Sequence, residues 1–226
     1  MTFSRKAAVV VVVSILAVVA LPLHASHAWS TYNWARTSNP FTLKVGKNVT
    51  SAWLTQYNTS VSDWSSSSVM NLTSVAGGSN KRCSAVAGTV QVCNGRYGNN
   101  GWLGLAQIWL SGSHISQGIA KMNDTYFDTA TYNNPNEKLH VMCQEIGHTF
   151  GLGHTSEDGS SQNTCMDYFS NTGANAGSTA STTPNAHDFD ELKLIYGHFD
   201  SSTTVAASIA GASSSADITN DPNSWG

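Results

Sequence analysis

Residues 144 to 154, Q-E-I-G-H-T-F-G-L-G-H, constrain the fold more than any other stretch of the chain. Gln144 and His148 are four residues apart, so on a helix they stand one above the other on one face, with Glu145 beside them. Gly151 can take the left-handed conformation that ends a helix and redirects the chain. His154, six residues after His148, then returns toward the same point. Two donors at i and i+4 can reach one ion, and a carboxylate next to them can take a proton from water held there. Where the metal-binding helix pattern H-E-x-x-H has its first histidine, this chain has Gln144.

The residues before this stretch support a helix. Asn133-Asn134-Pro135-Asn136 breaks the chain and offers an N-cap, proline suits a first turn, and Glu137 lies where an acidic side chain meets the positive end of the helix dipole. The spacing predicts a helix over 136–149, with Leu139, Met142, Cys143 and Ile146 toward a core and His140, Gln144, Glu145 and His148 along another side. An earlier helix, over 51–66, is predicted by the stripe of Trp53, Tyr57, Val61 and Trp64. A last helix is predicted over 185–198, with Asp188 near its start. Short apolar or alternating runs, 41–45, 69–76, 85–93, 103–110 and 118–122, read as strands separated by Gly- and Asn-rich turns.

The N-terminus has Arg5 and Lys6, an apolar run from Ala7 to Ala20, and Ser26-His27-Ala28 as a small-x-small cleavage site, so residues 1–28 read as a secretory signal. The run is shorter than the roughly 20 residues that span a bilayer, and the expectation is a secreted chain with no membrane contact after cleavage. Residues 29–200 form one catalytic-sized domain and 201–226 a flexible Ser/Ala/Thr-rich tail, with a loosely docked tail as the alternative. Only 11% of residues are charged and the net charge is -3, which excludes a basic field for nucleic acid. Cys83, Cys93, Cys143 and Cys165 imply two disulfides in an oxidising compartment. Of the three possible pairings, Cys83 with Cys93 and Cys143 with Cys165 is preferred, since it closes a local loop and ties the metal-site helix to the segment after it.

The stretch from Glu145 through His148, Gly151 and His154 resembles the metzincin zinc peptidases, whose pattern H-E-x-x-H-x-x-G-x-x-H it matches at every key position except Gln144. Cys165-Met166-Asp167-Tyr168 is similar to the methionine turn of that group, and its Met-x-Tyr order resembles the astacin and serralysin branches. The resemblance covers residues 144–168. It implies an α+β fold: a mixed twisted sheet of four to five strands with a backing helix, a zinc-site helix and a C-terminal helix. It also implies one catalytic Zn2+ held by His148, His154 and, as a substitute ligand, Gln144. Glu145 is then the general base that assists attack of a zinc-bound water on a peptide bond, Tyr168 assists, and Met166 lies under the metal. The substrate is a protein or peptide that pairs with the strand over 103–110, and the enzyme is a monomer. The alternative is a catalytically inactive protein of the same fold that binds proteins or peptides.

Other candidates are weaker. His140 stands about 12 Å along the helix from His148 at 1.5 Å per residue, too far to share an ion, and reads as a surface or supporting histidine. His114, His187 and His198 have no ligand spacing. Glu157 and Asp158 follow His154 closely enough to approach it. Asp124 and Asp128 suggest Ca2+ without any calcium-loop motif.

Overall fold

The computed structural model describes residues 26–79, 82–206 and 214–220. Its centre is a twisted, mostly parallel sheet packed against helices, an α+β arrangement. In chain order the elements are β1 (Asn33–Trp34), β2 (Phe41–Asn48), α1 (Leu54–Trp64), β3 (Met70–Ala76), β4 (Thr89–Gly95), β5 (Gly104–Ser111), β6 (His114–Asn123), α2 (Asp124–Phe127), α3 (Pro135–His148), α4 (Ala186–Ile195) and β7 (Ser214–Asn220). The sheet runs β3-β2-β4-β6-β5-β7, and β1 pairs with β6. β5 is antiparallel to both neighbours, while β2, β3, β4 and β6 pair in parallel.

The α1 stripe is buried as its spacing requires: Trp53, Tyr57, Val61 and Trp64 all face the core. Trp64 reaches across to α3, where its indole donates to the Cys143 carbonyl at 3.0 Å, and its ring meets Phe150 edge-on. Asn134 caps α3, its side-chain oxygen accepting from Glu137 N at 2.8 Å, with Pro135 in the first turn. At the other end two carbonyls left over by the helix are satisfied from outside: Trp34 Nε1 donates to Thr149 O at 3.0 Å and Tyr196 OH to Phe150 O at 2.9 Å.

The sheet has seven strands, where four to five were expected. β1 is two residues long, too short for any periodicity. β7 lies within 201–226, the stretch read as a flexible or loosely docked tail: residues 214–220 form an edge strand on β5. Residues 201–206 also dock, with Thr204 N donating to Ala35 O and Ala206 N to Gly88 O. The rest of the tail, 207–213 and 221–226, lies outside the described residues.

Part of the N-terminal segment is described as well. Residues 1–25 lie outside the described residues, but 26–28, assigned to the signal by the cleavage pattern, pack into the domain. Ser26 Oγ donates to Glu191 at 2.7 Å, His27 Nε2 faces Asp188 at 3.2 Å, and Ala28 bridges to Leu152. Among the described residues no helix is long and apolar enough to cross a membrane. The disulfides are Cys83–Cys93 and Cys143–Cys165.

Candidate metal and peptide site

One face of α3 carries a line of side chains that bind the segment after the second loop. Glu137 accepts from Asn171 N at 2.7 Å, His140 Nε2 and Gln144 Nε2 meet the Asp167 carbonyl at 2.9 and 2.8 Å, and Cys143 is bonded to Cys165. These positions follow helical spacing, so residues 165–171 lie along the helix. The line ends at Gly147, where a β-carbon would sit 2.6 Å from Met166 Sδ and 2.8 Å from Trp64 Cζ2. Only glycine lets Met166 pack directly beneath the turn that carries His148.

Gly151, with φ of 100°, performs the expected reversal. The strand-like residues after it bring His154 back, and the rings of His148 and His154 meet edge-on with centroids 4.7 Å apart. Each ring has its Nδ1 held: His148 by the Leu152 carbonyl at 2.7 Å, His154 by Glu157 Oε1 at 3.0 Å. Each Nε2 is buried and has no hydrogen-bond partner. Leu152 offers only an acceptor, so the His148 proton belongs on Nδ1 and the lone pair on Nε2. Burial first, and then the charge of His154, hold the His148 imidazole well below the usual histidine range. Burial, with smaller contributions from His140 and His27, pulls His154 down to about 3. Both rings are therefore neutral, the form that ligates a metal.

Glu145 is fully buried, and neither carboxylate oxygen makes a hydrogen bond of normal geometry. Burial pushes its carboxyl well above the usual range, and the Ala106 amide of β5 offsets this only in part. Its position depends on Gly104: a β-carbon there would collide with Glu145 Oε1 and sit 2.6 Å from Glu145 Cγ and from Val141 Cγ1. β5 thus runs directly against the carboxylate.

The donor set fits a divalent ion such as zinc. Two buried imidazole nitrogens without partners belong to rings with centroids 4.7 Å apart, each braced on its other nitrogen by a carbonyl or carboxylate, as ligating histidines usually are. Gln144 lies one helical turn before His148, fully buried, with its carboxamide oriented by the Asp167 carbonyl. The Tyr168 ring stands 4.3 Å from that of His154.

The weaker sequence candidates fall elsewhere. His140 is fully buried rather than on the surface, held between Asp167 O and Asn171 Oδ1. His114 and His198 both face Asp200, which also pairs with Arg36. His187 stacks on His27, and with Asp188 they form a second group whose ligand atoms lie within 4.8 Å of one another. Asp158 accepts from Ser156 and Ser160, away from His154. Asp124 accepts from Trp53 and Asn94 while Asp128 pairs with Arg96, so the two do not converge on one calcium position.

Three contributors escaped the sequence reading. Gly104 was seen only as the edge of a strand. Trp29 has no place in any predicted element, yet its ring lies edge-on to His148 with centroids 6.2 Å apart and its backbone N–H donates to Gly151 O at 2.7 Å. His27 was assigned to the signal, yet its carbonyl accepts from Gly153 N between the two site histidines. An extended segment next to the Gly151 turn is a tertiary pairing, which no local pattern announces.

Two solved structures resemble the chain at low similarity. The structure of myroilysin is 13% identical with a TM-score of 0.42, over 76% of this chain and 98% of that one. High choriolytic enzyme 1, a hatching enzyme zinc-protease from Oryzias latipes, is 10% identical with a TM-score of 0.40, over 75% and 96%. No protein-family model and no curated protein matches the chain.

Proposed function

We propose that this chain is a secreted zinc-dependent metalloendopeptidase. The observation that carries the reading is the pair of buried Nε2 atoms of His148 and His154 without hydrogen-bond partners, on a segment that also buries the Glu145 carboxyl. Zinc would be held by those two nitrogens and by the amide oxygen of Gln144, and it would supply Lewis acidity that lowers the pKa of water and polarises a peptide carbonyl. Gln144 is a neutral, weaker donor than imidazole, but it projects from the same helix face as His148.

Glu145 is the proton acceptor. A divalent charge next to a buried carboxyl favours its ionised form, so the high affinity for protons that burial confers becomes useful for taking one from water and returning it to the leaving amine. Tyr168, packed on His154, assists at the substrate carbonyl, and Met166 supports the floor beneath His148. An extended protein or peptide fits the edge of β5, which passes along Glu145.

A second reading, a catalytically inactive protein of this fold that binds peptides, has one observation in its favour. The Gln144 carboxamide already bonds the Asp167 carbonyl, so the side chain has a structural use without metal. Metal analysis of purified protein, with peptide cleavage by the native chain and by Glu145→Ala, separates the two. Less than about a tenth of an equivalent of bound metal, with no cleavage that Glu145→Ala abolishes, would sink the enzyme reading. Tighter zinc binding by Gln144→His would show a site shaped for three ligands.

A further inference from the structure

In a peptidase of this kind the reacting groups must be reachable, yet Gln144, Glu145 and His148 are all completely buried. The neighbouring sheet edge is closed too. Without β7, β5 would be the last strand of the sheet, with its outer row of N–H and C=O groups open beside Glu145. Instead β7 pairs along it antiparallel over its whole described length, from Leu110↔Ser214 to Gly104↔Asn220.

The register places the end of β7 at the site. Asn220 stands opposite Gly104, where a β-carbon would collide with Glu145, and Ile218 stands opposite Ala106, whose amide bonds that carboxylate. The segment is also weakly anchored. Of the residues Ser214 to Ile218, only Ala216 and Ile218 are apolar, and both are half-buried, while Ser214, Ser215 and Asp217 are exposed. Among the described side chains only these two contribute burial, and the main-chain pairing is one that any extended peptide can reproduce in the same direction.

We propose that residues 214–220 are a built-in occupant of the polypeptide-binding edge of β5, and that an extended substrate must displace them to reach Glu145. This rests on the peptidase reading above and adds its regulation. The resting chain is closed by its own C-terminal strand, and loss or displacement of that strand opens it.

The test uses the full chain carrying Asp217→Pro and Ile218→Pro together. In a regular antiparallel ladder, adjacent N–H groups point to opposite sides, so the pair removes one directed at β5 whichever phase applies. Two measurements are made on native and variant chains: hydrogen exchange of the β5 amides, and cleavage of a quenched fluorogenic peptide. The expected result is faster exchange over Gly104–Ser111, a rise in kcat/KM of about fivefold or more, and restored inhibition by an added peptide of sequence SSADITN. Faster exchange with unchanged cleavage would overturn the proposal and leave the peptidase reading intact. If neither chain cleaves, saturable binding of labelled SSADITN that protects the β5 amides of the variant supports the edge assignment while the peptidase reading fails. Absence of that binding overturns the assignment itself.

Discussion

Gly104→Ala tests how β5 and α3 share the site. The added carbon would sit 2.6 Å from both Val141 Cγ1 and Glu145 Cγ, and closer still to a carboxylate oxygen. Carbon pairs prefer about 3.5–4.0 Å, so about 1 Å must be found on at least two fronts. Neither neighbour is a free side-chain tip: Val141 and Glu145 are fully buried on a helix tied down by Cys143–Cys165 and by the Trp64 indole. Overpacking of this kind costs about 1–3 kcal/mol. For a chain of this size that lowers Tm by roughly 2–12 °C, read by circular dichroism on heating and by denaturant titration. A double-mutant cycle with Val141→Ala should show a coupling of about 1 kcal/mol, because the smaller side chain returns part of the space. Cleavage should fall further than stability does, by about tenfold to a hundredfold, since the shift moves the carboxylate proposed to take the proton. A variant within about 0.5 kcal/mol of the native chain and with unchanged cleavage would refute the close approach of β5 to Glu145.

Other consequences are open to direct measurement. Glu157→Gln removes the charge that braces His154 Nδ1 and should weaken zinc binding about 10–100-fold in a chelator competition; an unchanged affinity would show that this contact is incidental. The packing of Ser26, His27 and Ala28 against Glu191, Asp188 and Leu152 predicts that any processing of the N-terminus spares them; N-terminal sequencing of the mature protein that starts at Trp29 would contradict this. Burial raises Glu137 from 4.5 to about 8 in the folded chain, against smaller lowering by its bonds to Asn171 and Ser170. Its contribution to stability is therefore fully present below about pH 4.5 and is lost as pH rises toward 8. Glu137→Gln should flatten that decline in a series of melting curves; an equal slope in both chains would place the titration elsewhere.

How much of this was readable beforehand depends on whether a feature is local. Helix α3 was legible because Asn134, Pro135 and Glu137 start it and Gly151 reverses the chain after it, all within one short stretch. The convergence of His148 with His154 follows from the same spacing, and α1 from its aromatic stripe. β7 was not legible: S-S-A-D-I-T-N has neither alternation nor bulk, and it is a strand because β5 offers it an edge. The packing of residues 26–28 was not legible either. Ser26-His27-Ala28 has the small-x-small form of a cleavage site, while what holds those residues is more than 120 positions away. Gly104 acts through contacts that only the folded chain brings together, whereas the approach of Glu157 to His154 follows from their closeness in sequence.

The most direct test of the central claim is anomalous X-ray scattering at the zinc edge from crystals of the purified chain. The account predicts one strong peak within about 2.0–2.1 Å of Nε2 of both His148 and His154. Zinc-soaked crystals with no peak between those two rings, or with the ion held elsewhere, would contradict it.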